Sequence, residues 1–402
     1  MTRNERTDAT AAGVRATYVA FVGTGFAFAS WASRIPQVRD QLQLGPGELG
    51  LVLLAIAAGS VVALPLAGPI VGTLGSRRTV QAMAALNGLA LAAIALGYRF
   101  GVLPVVIGLA VFGFAQGAWD VAMNVQGAVV ERRLGRSIMP RFHAGFSVGT
   151  VAGALVGAGM VALAVPVTPH LVGVAALVMA LVPPLVRRFV PDTEPEPEGG
   201  AGEVSASPRR QALTAWREPR TLLVGLFVLA FAFAEGTGND WAAVALIDGY
   251  GTSAALGTLG FAIFLTAMTA GRWFGPGLLD RHGRVRLLRW MALVSVAGVV
   301  LFVFAGSVPL AFVGAVLWGA GLSLGFPVGM SAGADEPAMA PARVSVIASI
   351  GYVAFLGGPP LVGFLGEQIG VLKAVTSVAV LLAVAMAVAG SVREPQPAGR
   401  LR

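Results

Sequence analysis

Long apolar segments recur along the whole chain, and they constrain its fold more than any other feature. Twelve of them approach or exceed the roughly 20 residues that a helix needs to cross a bilayer. They are 16–33, 47–71, 79–97, 102–128, 142–164, 170–186, 221–246, 255–278, 285–305, 308–332, 344–366 and 372–391. Charged residues make up only 12% of the chain, whereas soluble proteins carry about 25%. The sequence therefore predicts an all-α membrane protein with twelve transmembrane helices.

The basic residues indicate how the chain is oriented in the membrane. With the N-terminus placed in the cytoplasm, 23 of the 28 Lys and Arg fall in cytoplasmic segments or in the first five residues of the ninth span. Only four fall in outer loops: Arg34, Arg39, Arg99 and Lys373. This bias follows the positive-inside rule, so we expect an inner-membrane protein with both termini in the cytoplasm. Because the basic residues are spread over short loops, we expect no nucleic-acid partner.

A short glycine- and arginine-containing turn occurs twice, about half a chain apart, at 68–78 and at 275–284. Each copy lies between two long apolar segments, which indicates a duplicated unit. Six segments in each half make both halves enter the membrane in the same sense.

The duplication divides the chain into five predicted parts. These are a cytoplasmic tail 1–15, a six-helix bundle 16–186, a cytoplasmic linker 187–220, a second six-helix bundle 221–391 and a cytoplasmic tail 392–402. The linker contains the Pro- and Glu-rich stretch 193–200 and is predicted to be flexible. The two bundles are predicted to be pseudo-symmetric.

The second turn carries a family resemblance. Its sequence Asp-Arg-His-Gly-Arg at 280–284 resembles the Asp-Arg-x-Gly-Arg loop of the major facilitator superfamily. The first turn is a degraded copy, in which Gly72 and Thr73 stand in place of the acid and the arginine. Glu131 and Arg136 resemble the superfamily's Glu-x4-Arg pair. The resemblance covers nearly the whole chain and implies the two-bundle fold of that superfamily.

A narrower resemblance is to the YbjJ-like inner-membrane branch of the superfamily. The segments that carry it are 30–36, 119–124, 142–144, 235–241 and 357–363. This resemblance implies an architecture and no particular cargo.

Charged residues near the cytoplasmic ends of the spans are candidates for a gate, because ion pairs there can hold one conformation closed. Arg272 lies within the eighth span, where it either snorkels to the surface or pairs with a membrane acid. The full set of gate candidates is Arg77, Arg78, Glu131, Arg136, Arg272, Asp280, Arg281 and Arg284.

Three acids lie several residues inside predicted spans, where an ionisable group costs about 2.5–3.5 kcal/mol and is functional by default. Glu235 is predicted to lie near the membrane midplane and is the leading candidate for a proton carrier. Asp120 is the second candidate and Asp240 the third. Asp120 could instead make a plain polar contact, for example with Arg141, and Asp240 could be a solvated acid at a helix end.

Several polar and aromatic residues are candidates for lining a substrate cavity. Gln116 and Asn124 lie four residues on either side of Asp120, so the three share one helix face. Asn239 shares a face with Glu235. Trp31 and Trp241 occupy matching positions in the two halves, either as interfacial belt residues or as stacking platforms. Tyr352 carries a phenol that could reach a cavity.

Glycines at every fourth position of the fifth span, from 145 to 157, predict close helix packing. The chain has no cysteine, and its three histidines lie far apart, so no metal site is expected. No phosphate-binding loop or nucleophile–base pair appears, so we expect neither an enzyme nor a cofactor.

The sequence thus predicts a secondary transporter that moves a small polar organic solute by alternating access, coupled to protons. Its partners are the solute, protons and the lipid bilayer, and a monomer is expected. One alternative is a proton-driven efflux antiporter for amphipathic drugs or metabolites. A non-transporting membrane receptor is the alternative from another class.

Overall fold

A computed structural model describes residues 3–135, 138–192, 208–336 and 339–394. The Pro- and Glu-rich part of the predicted linker, 193–200, lies outside these ranges, as does Arg136. The described regular structure is helical, as the composition predicts.

The described residues of the first half of the chain form six α-helices. They are α1 (Arg3–Ala32), α2 (Ile35–Leu42), α3 (Pro46–Gly97), α4 (Val102–Leu134), α5 (Met139–Ala162) and α6 (Val167–Leu185). A short 3-10 turn, Val186–Arg188, follows α6. The first helix begins at Arg3, well before the apolar run, because the polar residues ahead of the run include no proline to stop it.

In the second half, residues 208–336 and 339–394 form nine α-helices. They are α7 (Pro208–Ala215), α8 (Pro219–Tyr250), α9 (Ala254–His282), α10 (Arg284–Phe304), α11 (Val308–Leu322), α12 (Gly325–Gly333), α13 (Ala340–Ile369), α14 (Val371–Ala374) and α15 (Thr376–Val388). A 3-10 turn, Ala389–Val392, ends the described chain.

Eleven helical segments within the described ranges are long and apolar enough to cross a membrane. One of them, α3, has 52 residues, about 78 Å of helix at 1.5 Å per residue, far more than one bilayer needs. It bends at Gly75, whose backbone is not helical, with φ 78° and ψ 158°. Counting α3 as two spans restores the twelve predicted spans.

The first of two compact units comprises Met1–Pro197, Asn239–Leu265 and Pro359–Val371. Within it α3 packs on α4 and α6, and α1 packs on α5. A Cβ atom at Gly149 of α5 would lie 2.2 Å from the carbonyl oxygen of Val22 on α1, so the two backbones touch there. The glycine stripe of the fifth span is therefore a packing face, as its spacing predicts.

The second unit comprises Glu198–Gly238, Thr266–Gly358 and Leu372–Arg402. Its helix α10 packs on α11 and α15. A Cβ atom at Gly298 would lie 2.3 Å from the backbone nitrogen of Trp318, so α10 and α11 also meet backbone to backbone.

Candidate functional site

An ion pair inside the spans of the second unit forms the centre of the candidate site. Nη2 of Arg272, on α9, lies 2.9 Å from both carboxylate oxygens of Glu235, on α8. Both side chains are partly exposed, at 24% and 19%. Glu235 lies 16 residues into α8, about 24 Å from its start, which places the pair at membrane depth. Of the two roles predicted for Arg272, pairing with a membrane acid is the one observed.

A break in the tenth span supplies a third polar group to this pair. Helix α11 ends at Leu322 and α12 begins at Gly325, with Ser323 and Leu324 between them. The carbonyl oxygen of Ser323 accepts a 3.4 Å hydrogen bond from Nε of Arg272. Discontinuous helices with backbone carbonyls turned toward polar groups are typical of transporter binding sites.

Glycines on α9 allow the broken span to approach closely. A Cβ atom at Gly271 would lie 2.4 Å from Oγ of Ser323, and one at Gly275 would lie 2.7 Å from Leu324. Sequence reasoning missed the break at Ser323. The signal for it was present in the glycine- and proline-rich stretch 319–329.

Two aromatic residues of α13 lie beside this cluster. Gly236 follows Glu235 in the sequence and faces the ring of Phe355. A Cβ atom at Gly236 would lie 3.6 Å from that ring. The rings of Phe355 and Tyr352 are 6.1 Å apart at their centres. Tyr352 is thus on a helix that packs against α8 near the ion pair, as a cavity residue requires.

The polar stripe of α4 in the first unit has no basic partner among the described residues. Gln116 exchanges hydrogen bonds with Thr24 of α1. Asn124 donates to the backbone oxygen of Asp120 at 2.9 Å and to its carboxylate at 3.2 Å. The expected alternative contact between Asp120 and Arg141 does not form.

Asp120 is exposed, although it lies in a span. The lipid-side residues of α4 include Leu103 and Ile107, which are 68% and 56% exposed. Asp120 comes thirteen residues after Ile107, which at about 100° per residue turns it about 140° away around the helix. Its carboxylate therefore points away from the Ile107 side of α4.

Helix α8 carries three further predicted site residues in the first unit, Asn239, Asp240 and Trp241. Asp240 is half-buried, and the part of the chain that the structure describes offers it no hydrogen bond or ion pair. Oδ1 of Asn239 is buried without a donor. Trp31 and Trp241 are 2% and 0% exposed, with buried, unbonded indole nitrogens. An interfacial belt is therefore the wrong explanation for these tryptophans, because helices pack over both.

The gate candidates divide into paired and exposed residues. Arg284 contacts Asp335 at 2.7 Å and Glu394 at 3.1 Å. Glu131 accepts backbone hydrogen bonds from Ile138 and Met139 and so caps the start of α5. Four other candidates are exposed and form no ion pair with a described residue. They are Arg77, Arg78, Asp280 and Arg281. For these four, the predicted gate contacts are not seen.

A second Glu–Arg pair lies at the start of α8, before the membrane span. Arg343 of α13 contacts Glu218 at 2.6 Å, and the hydroxyl of Thr221 donates to the same carboxylate. The hydrogen bond from Arg343 is the main reason that the pKa of Glu218 lies below the ordinary glutamate value. This pair is the natural comparison for the one inside the membrane.

An all-helical chain with a repeated turn and charged side chains inside its spans has the architecture of a membrane transporter. The model of the Major Facilitator Superfamily matches residues 17–340. An uncharacterized MFS-type transporter of Yersinia pestis is 32% identical over 383 residues, which is 94% of each chain. The chain belongs to the major facilitator superfamily. The narrower YbjJ-like resemblance stays a prediction.

Solved transporters share the fold at low sequence identity. The structure of the nucleoside transporter NupG matches with a TM-score of 0.73 and 13% identity, over 95% of this chain and 98% of that one. The Escherichia coli fucose:proton symporter FucP matches with a TM-score of 0.63 and 16% identity, over 94% and 98%. At these identities the likeness supports the two-bundle fold and leaves the cargo to be argued from this chain's own residues.

Proposed function

We propose that this protein is a secondary active transporter that moves a small polar organic solute by alternating access, coupled to protons. The observation that carries the proposal is the Glu235–Arg272 pair, held at membrane depth beside the carbonyl of Ser323. Charges inside a membrane are costly, and transporters use them for substrates and proton relays. Neighbours in fold that carry nucleosides, or fucose with protons, show that this fold accommodates such cargo.

Protonation of Glu235 is the proposed coupling step. When Glu235 is a carboxylate, both of its oxygens accept hydrogen bonds from Nη2 of Arg272. A proton on Glu235 removes the negative charge and weakens this charge-assisted contact, while Arg272 stays positive. The guanidinium is then free to bind a polar or anionic group of the solute. Loss of the proton restores the pair and displaces the solute.

Asp120 and Asp240 are proposed as further protonation sites. Unlike Glu235, neither has an ion-pair partner among the described residues. Asn124 donates to Asp120, and an amide can serve a charged or a neutral carboxyl group. Within the second unit, Tyr352 and Phe355 of α13 would contact ring atoms of the solute.

Alternating access requires contacts that form and break on one side of the membrane. The first unit holds such contacts at the predicted outer ends of the two repeats. Arg39 of α2 lies 2.5 Å from Asp248 of α8. A Cβ atom at Gly50 of α3 would lie 2.5 Å from the carbonyl oxygen of Pro359 on α13. We infer that these contacts belong to a state closed on the outer side and separate when that side opens.

The distribution of basic residues supports a proposed placement of the chain in the cell. The protein lies in the inner membrane with both termini in the cytoplasm, and it works as a monomer built from bundles 16–186 and 221–391, joined by linker 187–220. A cysteine introduced at Arg99, in a predicted outer loop, should react with a membrane-impermeant thiol reagent in intact cells. A cysteine at Arg78 should react only after the membrane is permeabilised.

The functional test is uptake into proteoliposomes. A thermal-shift screen of sugars, organic acids, nucleosides and drugs on the purified protein first identifies a ligand, because a ligand stabilises the state that binds it. Uptake of that ligand should then rise with an imposed pH gradient. Glu235→Gln should retain binding and lose the response to the gradient.

Glu218→Gln is the matched control, because it removes another arginine-paired glutamate. Glu218 lies directly before α8, the helix that carries Glu235. The Glu218→Gln variant should respond to the gradient as the unmodified protein does. Equal uptake with and without the gradient in the unmodified protein would contradict proton coupling. A full response in Glu235→Gln would exclude Glu235 as the carrier. Raised drug susceptibility on deletion, with no loss of uptake, would favour the efflux alternative.

A further inference from the structure

A separate polar cavity lies in the first unit, on the side predicted to face outward. Its volume is about 350 Å³. Its lining consists of Arg34, Gln37, Gln41 and Tyr98, of Val161 and residues 164–167 around the α5–α6 loop, and of Ala254 at the start of α9. Cavities of this size are at the lower end of the range for small-molecule sites. Neither Glu235 nor Arg272 belongs to it.

The cavity contains a buried positive charge that no acid of the described residues neutralises. Arg34 is 2% exposed, and within the described ranges no carboxylate forms an ion pair with it. Its Nε donates to Nδ1 of His170 at 2.8 Å, while its Nη2 is buried and finds no acceptor in the part of the chain that the structure describes. A buried charge is costly unless it is paired, and removing it from water costs several kcal/mol.

The histidine does not supply the missing negative charge. Because Nδ1 of His170 accepts a hydrogen bond from a guanidinium, the imidazole is neutral and carries its proton on Nε2. That Nε2 is also buried and has no acceptor in the described part of the chain. The contact orients Arg34 and leaves its charge uncompensated.

Gln37 adds a second set of unused hydrogen-bonding groups to the same wall. It follows Arg34 by three residues, at the start of α2, so the two share a face. Both its amide nitrogen and its amide oxygen are buried, and neither has a partner among the described residues. Buried polar side chains are normally hydrogen-bonded, and unsatisfied ones in one place need an explanation.

We propose that this cavity is a binding site for the carboxylate group of a small monoanionic solute. The guanidinium and the Gln37 amide nitrogen are donors of the kind that planar carboxylates accept. One uncompensated positive charge matches one negative charge, whereas a phosphate dianion would bring an unbalanced second charge into a buried space. The site is distinct from the proposed coupling site at Glu235.

The test uses the purified full-length protein in detergent, with sodium propionate as the probe. Thermal unfolding is measured at constant ionic strength while propionate replaces chloride, and propionamide serves as the uncharged isostere. Propionate should raise the midpoint in a saturable way, and propionamide should leave it unchanged. A chloride titration with the same effect as propionate would overturn the proposal, because it would show a non-selective anion effect.

Variants locate the effect. Arg34→Gln should abolish the propionate shift, and its midpoint without propionate should equal or exceed that of the unmodified protein, because an uncompensated charge has been removed. If that variant does not fold, Gln37→Leu and the cavity-filling Ala254→Leu give the same information by weakening the shift. An undiminished shift in Gln37→Leu and Ala254→Leu, or in a folded Arg34→Gln, would overturn the proposal.

A double variant separates this proposal from the proposed coupling site. Glu235→Gln with Arg272→Gln removes the membrane pair without changing the net charge. The propionate shift should persist in it, which would place the binding in the outer cavity whatever the transport assays show. Loss of the shift in this double variant alone would place the carboxylate at Arg272 and refute the outer site.

Discussion

The two copies of the repeated turn share a backbone and differ in their electrostatic partners. Gly75 has φ 78° and ψ 158°, and Gly283 has φ 73° and ψ 157°. In the first copy the acid comes from a distant segment, because Asp192 accepts hydrogen bonds from the backbone and the hydroxyl of Ser76. In the second copy a basic side chain, Arg284, reaches out to other acids.

Duplication has therefore preserved the path of the backbone at the two turns, while the charged residues around them have diverged. The same divergence holds inside the spans. The second repeat carries the Glu235–Arg272 pair, whereas the acid of the first repeat, Asp120, is exposed and has an amide for a partner. Substitutions that act on the shared backbone should therefore affect both repeats alike, and those that act on charges should not.

The largest expected effect is that of Arg272→Ala. It leaves Glu235 without a counter-charge in a span, so we expect a loss of about 2–4 kcal/mol, between the values for exposed and fully buried pairs. Asp120→Asn, the matched change in the first repeat, should cost less than about 1 kcal/mol because it breaks no ion pair. Chemical unfolding in detergent micelles measures both.

A rescue experiment sharpens this first comparison. If the loss comes from an uncompensated charge, adding Glu235→Gln to Arg272→Ala should recover most of it, because the double variant has no charge left to desolvate. Equal losses in Arg272→Ala and Asp120→Asn would show that the two repeats do not differ as their charges indicate.

The next effect tests the shared backbone. Gly75→Ala and Gly283→Ala should each cost about 1–3 kcal/mol, because a side chain is strained at this combination of φ and ψ. The cost should be at least as large at Gly75, where a Cβ atom would lie 3.2 Å from the carboxylate of Asp192. Gly72→Ala is the control, since its Cβ would meet no neighbour. A negligible cost at one of the two turns would contradict the shared strain.

Much of this architecture follows from the sequence because it depends on local pattern. The twelve spans follow from apolar length, and the stripe of α5 follows from spacing. Glu235 is recognisable because an acid in a span is unusual. Its partner is 37 residues away, and only the packing of α8 on α9 decides that Arg272 pairs rather than snorkels. The two outcomes look identical in sequence.

The remaining features depend on contacts that no local pattern contains. Trp31 and Trp241 lie at segment ends, where a belt is the usual explanation, yet neighbouring helices bury both. The break at Ser323 needs the glycine face of α9 opposite it. Arg34 falls in an outer loop by its position in the sequence, and the fold turns it inward against His170.

A smaller effect compares the two Glu–Arg pairs of α8 through pH. Arg343 lowers the pKa of Glu218 in the folded protein, so the pair stabilises the fold above the ordinary glutamate value and loses that contribution as pH falls through the lowered value. Glu218→Gln should therefore cost about 0.2–1 kcal/mol near neutral pH, as partly exposed pairs do. The difference from the unmodified protein should therefore shrink as pH falls below the ordinary glutamate pKa, as unfolding midpoints would show. A difference that stays constant with pH would mean that packing, and not the ion pair, is lost.

The smallest expected effect on stability returns to the repeated turn, in Asp280→Ala. Asp280 is exposed near the end of α9, where its negative charge opposes the helix dipole, so removing it should leave the unfolding midpoint unchanged or slightly raised. Transport should nevertheless fall more than in Gly72→Ala, because the second turn keeps the Asp280–Arg281 dipeptide and the first has Gly72–Thr73. An acid that is unpaired in this state can serve transport only by finding a partner in another. Equal transport in the two variants would mean that the turns differ by drift alone, and a lower midpoint in Asp280→Ala would mean that the carboxylate already stabilises this state.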